Sequence, residues 1–493
     1  MNLADERLKA IGNPSLTDDE RALLRCRVAA DLTHGGQYEA ACEALGELWG
    51  GVGMRPNVEG FRVSTAAEAL LQVGALSGWV GASRQVKGAQ EAAKDLISES
   101  ISLFESAGDA THVAIARSDL ALCYWREGAY DEARVLLTDA FKSLTETVER
   151  AKVLLRLNTV EFSAGRYHEG LALLTEHAHI FDEQVSHVLR GGFHNHLALM
   201  LKQLGALEGR PDYLDRAIIE YTAAIHHYGL ARHDRYRANN ENNLANLLSK
   251  MGHYRQAHEH LDRAGATLLR LGDAGLLAQV DETRACVFLA EKKYAEADRV
   301  IRRAVQTLER GGAAALLADA LTTQGVIRAR MGNDEGSVAA LRRAIDVAEE
   351  AGALSNAGLA ALALIEEHGA RRALSRTELY ELYFRADRLL KDTQHPETVA
   401  RLRACARVVM RRLAGTHYGG KDFTFFDAVR EFEARMIMQA LEEAGGSVTK
   451  AASLLGIRHQ TLSAILNTRH RGMIEKRKPV KKRLRSIIKI PEE

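Results

Sequence analysis

The chain has 493 residues, of which 46% are hydrophobic, 27% charged and only six proline; it is long enough for two or three domains or one long repeat array with something appended, and its composition is that of a globular rather than a disordered chain. Its formal net charge of +1 conceals an asymmetry. From Arg458 to Lys489 there are eleven Lys or Arg against the single acid Glu475, a net of +10, which leaves about −7 on residues 1–457 once Glu492 and Glu493 are counted. An acidic body with a basic end is built to meet a polyanion at that end.

Five cysteines, Cys26, Cys42, Cys123, Cys286 and Cys405, are odd in number, widely spaced and free of any Cys-x-x-Cys pair. That argues against a disulfide framework or zinc ribbon and for neutral thiols in a reducing compartment. The first twenty residues carry acids where a secretory signal needs a basic stretch and an apolar run. No segment approaches the roughly 20 uninterrupted apolar residues of a membrane span. The expectation is a cytoplasmic protein without a membrane partner.

The dominant feature is a repeat. A Gly-x-Tyr-x-x-Ala punctuation occurs at Gly36–Ala41, Gly128–Ala133 and Gly252–Ala257, with degenerate copies at Gln90, Tyr167, Leu214, Tyr294 and Asp334. Successive positions lie 52, 40, 37, 47, 40, 40 and 40 residues apart, and Gly272, Gly312 and Gly352 keep the same step of 40. Nine positions before the punctuating residue stand small residues, Ala29, Gly81, Ala121, Ala245, Ala285 and Gly325; ten after it stand Ala140, Ala224, Ala264, Ala304 and Ala344. Seven after it an apolar or aromatic residue recurs: Leu45, Ile97, Leu137, Leu174, Tyr221, Leu261, Ile301 and Leu341. Helical periodicity puts these on one buried face, and small residues let two helices approach closely, so each unit is an antiparallel helix pair and stacked pairs share one core.

On these residues the chain resembles the tetratricopeptide-repeat family, with units longer than its usual 34 residues and without the proline that normally closes each unit. The resemblance covers residues 20–355, about eight units, and implies a helical solenoid whose first helices line a concave groove for a peptide or protein. Apolar helical patterns at Leu354–His368, Arg376–Lys391 and Pro396–Leu413 are expected to cap the stack over 356–413. Three glycines in 415–420 then mark a domain boundary, with a linker over 414–425.

Beyond it, Phe426–Ala444 has helical periodicity and ends at Gly445-Gly446, a C-terminal stop signal. Ser447 or Thr449 is placed to cap a short helix from Val448 to Leu455. Gly456 supplies the positive backbone angle of a tight turn, Ala452 lets helices pack closely, and a third helix runs from His459 to Asn467, anchored by Ile457, Leu462 and Ile465. Arg458, His459, Gln460, Ser463 and Asn467 are left on or near its outward face, where a recognition helix meets the major groove.

The run from Lys450 to Leu462 is similar to the Fis-type helix-turn-helix family, whose module dimerises through its first helices. By that resemblance Ser447 and Thr449 match phosphate-contacting positions, and Arg458, His459, Thr461 and Ser463 match groove-contacting ones. His459, Ser463 and Ala464 depart from the basic residues common there, so no base preference follows. The module is expected at 426–472 with a basic tail at 473–493. Arg469, Arg471, Lys476, Arg477, Lys478, Lys481, Lys482 and Arg483 are expected to bind phosphates and to make affinity fall steeply with salt.

Other patterns carry less. Gly415–Lys421 nearly spells a phosphate-binding loop, but Asp422 stands where Ser or Thr is needed and a helix precedes it. Twelve of the nineteen histidines lie between His168 and His260, yet residues two apart on a helix diverge, so no chelating pair is specified and no metal site is expected. Asn239, Asn243 and Asn246 share one face of a first helix and are candidates for holding a peptide backbone, or else for hydrogen bonding between repeats. Trp49, Trp79, Tyr124 and Trp125 read as packing residues. No nucleophile, base and orienting acid stand at a spacing that argues catalysis, so a non-enzyme without cofactor is expected.

The expectation is therefore an all-α chain: a tetratricopeptide-like solenoid preceded by a segment at 1–19 and followed by a small helix-turn-helix domain. Its function is regulation of transcription, on double-stranded DNA and as a homodimer. The alternative is an interaction scaffold whose tail docks on polyanions without reading sequence.

Overall fold

A computed structural model describes residue 11, residues 15–34, 37–83, 86–182, 185–311, 314–371 and 373–391, residue 393, and residues 396–413 and 425–470. Among the described residues every regular element is helical, with twenty-two α-helices and two single 3-10 turns. Two compact units divide the chain, one up to Val408 and one from Val409 onward.

The first unit is a row of antiparallel hairpins. In chain order these are α1 (Asp18–His34) with α2 (Tyr38–Leu45), α3 (Val63–Ser83) with α4 (Ala89–Ser106), α5 (Ala110–Arg126) with α6 (Tyr130–Ser143), and α7 (Thr147–Ser163) with α8 (Tyr167–Glu176). There follow α9 (His187–Glu208) with α10 (Pro211–Leu230), α11 (Asp234–Lys250) with α12 (Tyr254–Leu271), α13 (Ala274–Ala290) with α14 (Tyr294–Gly311), and α15 (Ala314–Arg330) with α16 (Asp334–Glu350). Then come α17 (Leu354–His368), α18 (Arg376–Leu389) and α19 (Pro396–Leu413). Helix α1 opens at Asp18, inside the segment expected to precede the repeats.

The repeat pattern is a burial pattern. All eight residues seven positions after the punctuation, from Leu45 to Leu341, have no measurable exposure, and neither do Ala29, Ala121, Ala245 and Ala285 on the first helices. Where that small residue is glycine the need is sharpest. A Cβ on Gly81 would lie 2.2 Å from the Cβ of Ala89, and one on Gly325 would lie 2.4 Å from Leu341 Cγ. Helices pressed this close gain dispersion contacts along their length, and added volume is not absorbed.

The hairpin corner has a fixed backbone as well. Gly128 and Gly252 precede the second helices with φ of +81° and +84°. Lys292 holds the equivalent place at φ +63°, a left-handed conformation that costs an L side chain roughly 1–2 kcal/mol.

First helices also touch the first helices of neighbouring units: α1 on α3, α11 on α13, α13 on α15 and α15 on α17. They form the tight inner row of the solenoid. Half-buried aromatic residues bridge units as expected of packing residues: Trp79 stacks on Tyr38 at 5.2 Å, Arg126 lies 4.0 Å over Trp79, and Trp125 Nε1 donates to Ser163 at 2.8 Å. Guanidinium–carboxylate pairs also join neighbouring units, among them Arg156–Asp119, Arg330–Glu367, Arg385–Glu349 and Arg401–Glu366.

Hairpin packing continues past residue 355. Gly358 of α17 lies against Leu390 after α18, and Cys405 of α19 donates to Leu362 O at 3.7 Å. The expected linker falls outside the described residues except for Phe425, which is already helical. The near-phosphate-loop at 415–421 lies outside them too. Burial raises the pKa of the Cys26, Cys123, Cys286 and Cys405 thiols, Cys123 to about 11, so these four are neutral packing residues.

Candidate nucleic-acid interface

The second unit contains three helices around a small core: α20 (Phe425–Glu443), α21 (Val448–Leu454) and α22 (His459–Thr468). Ile437, Ala440 and Leu441 of α20 meet Ala451 and Ala452 of α21 and Leu462 and Leu466 of α22. Leu462 and Leu466 are fully buried, whereas Ile457 and Ile465 are only partly so. The third helix is thus anchored by an i, i+4 leucine pair, and Leu466, missed in the sequence, outranks Ile465.

The corners follow from local chemistry. Helix α20 stops where Gly445 and Gly446 take φ of +58° and +82°, with Gly446 N donating to Leu441 O at 2.7 Å. Ser447 is the N-cap of α21, its hydroxyl accepting from Lys450 N; Thr449 lies one residue inside and stays exposed. Gly456 turns the chain at φ +67°, and Ile457 N closes the turn on Ala452 O at 3.0 Å. Without a Cβ, Gly456 adopts that angle freely.

This arrangement leaves one face of α22 open. Arg458 at its N-cap, then His459, Gln460, Thr461 and Asn467, are exposed, and Ser463 is half-buried. Leu462 and Leu466 point the opposite way, so the exposed arc centres on Gln460, Ala464 and Asn467. An α-helix, about 10–12 Å across with its side chains, matches the width of a DNA major groove. Of the expected phosphate-binding cations, Arg469 is described, at the C-cap of α22; Arg471, Lys476, Arg477, Lys478, Lys481, Lys482 and Arg483 lie outside the described residues.

An unforeseen lock closes the unit. Glu433 of α20 pairs with His470 Nε2 at 2.9 Å and with Arg469 at 3.4 Å, and the His470 side chain is 5% exposed. Arg469 is therefore held from one side by a carboxylate. The signal available in the sequence was an acid on the first helix and a histidine directly after the third, a pairing that only tertiary structure specifies.

On the solenoid, Asn239 is exposed and Asn243 and Asn246 are half-buried, on the arc of α11 opposite its buried residues Ala238, Glu241, Leu244 and Leu248. None of the three amides has a hydrogen-bond partner among the described residues, whereas the neighbouring Asn240 donates to Tyr236 O. The inner row holds further polar groups that spacing did not reveal. Burial, reinforced by Lys250, brings the pKa of Lys202 down to about 8. Glu282 and Asp319 are pushed above the usual carboxylate range by burial; Glu282 accepts from Thr323 at 2.8 Å and Asp319 from Asn356 at 2.6 Å.

Three of the clustered histidines pair with carboxylates, His194 with Glu220, His258 with Glu291 and His260 with Glu241, and His227 lies against His187 and His194. Among the described residues no three His, Cys, Asp or Glu side chains gather as a metal ion would require. No described helix is long and apolar enough to cross a membrane.

Residues 428–464 match the family described as bacterial regulatory protein, Fis family, and form a Fis-family helix-turn-helix domain. No curated protein matches the chain. Solved structures similar to it are helical-repeat proteins. A Rap protein complexed with competence and sporulation factor is 14% identical, with a TM-score of 0.44 over 80% of this chain and 99% of that one. The quorum sensor NprR from B. thuringiensis in its apo form is 14% identical, with a TM-score of 0.46 over 70% of this chain and 92% of that one. A signal transduction ATPase with a tetratricopeptide repeat sensor from Pyrococcus horikoshii is 11% identical, with a TM-score of 0.46 over 83% of this chain and 66% of that one. The fold is all-α, a tetratricopeptide-like solenoid with a helix-turn-helix domain.

Proposed function

We propose, from the Fis-family helix-turn-helix domain at residues 428–464, that the chain is a cytoplasmic, non-enzymatic regulator of transcription that binds double-stranded DNA through α22. The observation that carries this reading is the open face of α22 beyond the Gly456 turn. Arg458, His459, Gln460, Thr461, Ser463 and Asn467 are the base-reading candidates, and Ser447 and Thr449 at the start of α21 are the phosphate contacts. Arg469, Arg471 and the lysines and arginines of 473–493 supply charge that raises affinity for any sequence.

The working form is a homodimer. Phe426, Val429, Phe432 and Met436 are exposed within an arc of about 120° on α20, an apolar stripe that a second copy of the same helix would cover. The solenoid receives the signal: the unpartnered amides of Asn239, Asn243 and Asn246 on the inner row are placed to hold a peptide or protein backbone. Its occupancy alters the spacing of the two recognition helices.

Gel-shift with genomic fragments tests the reading. Retardation at low salt that is lost on deleting residues 415–493 is the expected result. Absence of binding at low salt, or binding indifferent to that deletion, overturns it.

A further inference from the structure

The repeat departs from its step of 40 between Tyr167 and Leu214, as it also does between Tyr38 and Gln90, and at the former a cleft stands. Tyr167 and Leu214 are 47 residues apart instead of 40; helix α8 is only ten residues long, and the chain makes a 3-10 turn at Ala178–Phe181 before α9 begins. The corner preceding α7, the 3-10 turn, the first turns of α9 and the end of α10 enclose a cleft of about 720 Å³, within the range of small-molecule sites.

The lining is cationic. Arg150, Arg190, His179, His194 and His227 face the space, with Asp182 the one acid among the lining residues. Neither arginine has a carboxylate partner among the described residues, although arginines elsewhere on the solenoid are paired between units. The Arg150 guanidinium is held 4.5 Å over the Phe141 ring, and its Nε is buried without a hydrogen-bond partner among the described residues. Arg190 Nε donates only to Asp182 O, at 3.2 Å. A guanidinium fixed by an aromatic face and left with unused donors is arranged for an oxyanion.

The histidines extend the set. His227 stacks on His194 with ring centroids 5.4 Å apart, and its Nδ1 is 3.1 Å from His187 Nδ1. His194 pairs with Glu220 at 2.7 Å, a carboxylate that also lies 3.7 Å from Arg216. Burial, then the adjoining His194, His187, Arg190 and His226, lower the pKa of His227 to about 4. At neutral pH the ring is uncharged. An anion in the cleft would offset that repulsion, so binding would take up protons.

We infer that this cleft is a second ligand site of the solenoid, on the side chains of Arg150, Arg190 and His227, for a small molecule bearing a phosphate or carboxylate group. It is separate from the Asn239, Asn243 and Asn246 row and does not rest on the DNA-binding reading. Recognition runs through two fixed guanidiniums and strengthens as the pH falls.

The test is thermal unfolding and calorimetric titration of the full chain with sulfate, inorganic phosphate and citrate at constant ionic strength set by chloride. Sulfate keeps its charge between pH 5.5 and 7.5, so its pH dependence reports the protein. Binding is expected to raise the unfolding temperature by about 2 °C or more near saturation, and sulfate affinity should rise at least twofold from pH 7.5 to 5.5. Arg150→Gln and Arg190→Gln should each cut affinity tenfold or more while keeping wild-type helix content, and Arg255→Gln, on the exposed side of α12, should change nothing. Preference for phosphate over citrate, or the reverse, assigns the ligand's anionic group. The proposal is overturned if none of the three anions binds beyond the chloride control, if Arg150→Gln and Arg190→Gln bind as wild type, or if Arg255→Gln loses binding equally.

Discussion

Glu433 on the first helix of the C-terminal unit holds His470, just past the third helix, at 2.9 Å, and buries the imidazole almost completely. The contact joins the two ends of the module, so the orientation of the recognition helix depends on a residue that touches no DNA. Truncating His470 to Ala removes a buried ring and leaves Glu433 with only Arg469. The expected loss is about 1–3 kcal/mol of local stability, read as a roughly fivefold or greater fall in hydrogen-exchange protection of the α22 amides with α3–α16 unaffected. Unchanged protection would show that the pair is not structural.

A second expectation comes from the hairpin corner. Lys292 occupies a left-handed backbone position, φ +63°, that Gly128 and Gly252 fill in other units. Lys292→Gly relieves local strain but gives the unfolded chain more freedom, so a net stabilisation of about 0.5–1 kcal/mol is predicted. Urea unfolding of the solenoid measures it; destabilisation would contradict the strain argument.

Gly325 carries the opposite risk. Its Cβ would stand 2.4 Å from Leu341 Cγ inside a closed helix pair. Gly325→Val should cost about 1–3 kcal/mol or more by overpacking, lowering the solenoid's unfolding midpoint while a separately monitored C-terminal unit keeps its own transition.

Stability should also depend on pH through His227. Its pKa lies near 4 in the folded chain, lowered first by burial and then by His194, His187, Arg190 and His226, against an ordinary value of about 6.5. Between those values the unfolded chain binds the proton and the folded chain does not, so stability falls as the pH drops from about 6.5 towards 4. His227→Gln should flatten that part of a thermal-unfolding profile. An equally steep profile in the variant would assign the effect elsewhere.

Much of this structure was legible in the residues because solenoids repeat one local solution. The step of 40 and the small and apolar residues at fixed offsets specify which side chains are buried, and Leu45 to Leu341 all are. The helix-turn-helix was legible for the same reason: Gly445-Gly446, Ser447 and Gly456 act on their own neighbours, so helix bounds followed within one residue. Leu466, His470 and the 3-10 turn at Ala178–Phe181 were not. Leu466 competes with Ile465 for the core through a small rotation of α22, the His470 partner is 37 positions away, and the cleft arises where the repeat breaks, so the periodicity that located everything else is silent there. The Asn row was visible in sequence, but only the structure distinguishes free amides from amides bonded between repeats.

The central claim, that α22 reads base sequence while the basic tail supplies affinity, is tested most directly by selecting bound sequences from random double-stranded DNA with the full chain. Wild type should enrich a two-fold symmetric motif with half-sites about one helical turn apart. Arg458→Ala with His459→Ala should change the motif, and truncation at residue 473 should weaken binding across all sequences and lower its salt dependence without changing the motif. Recovery of no motif, or of one that survives Arg458→Ala with His459→Ala unaltered, would contradict the account.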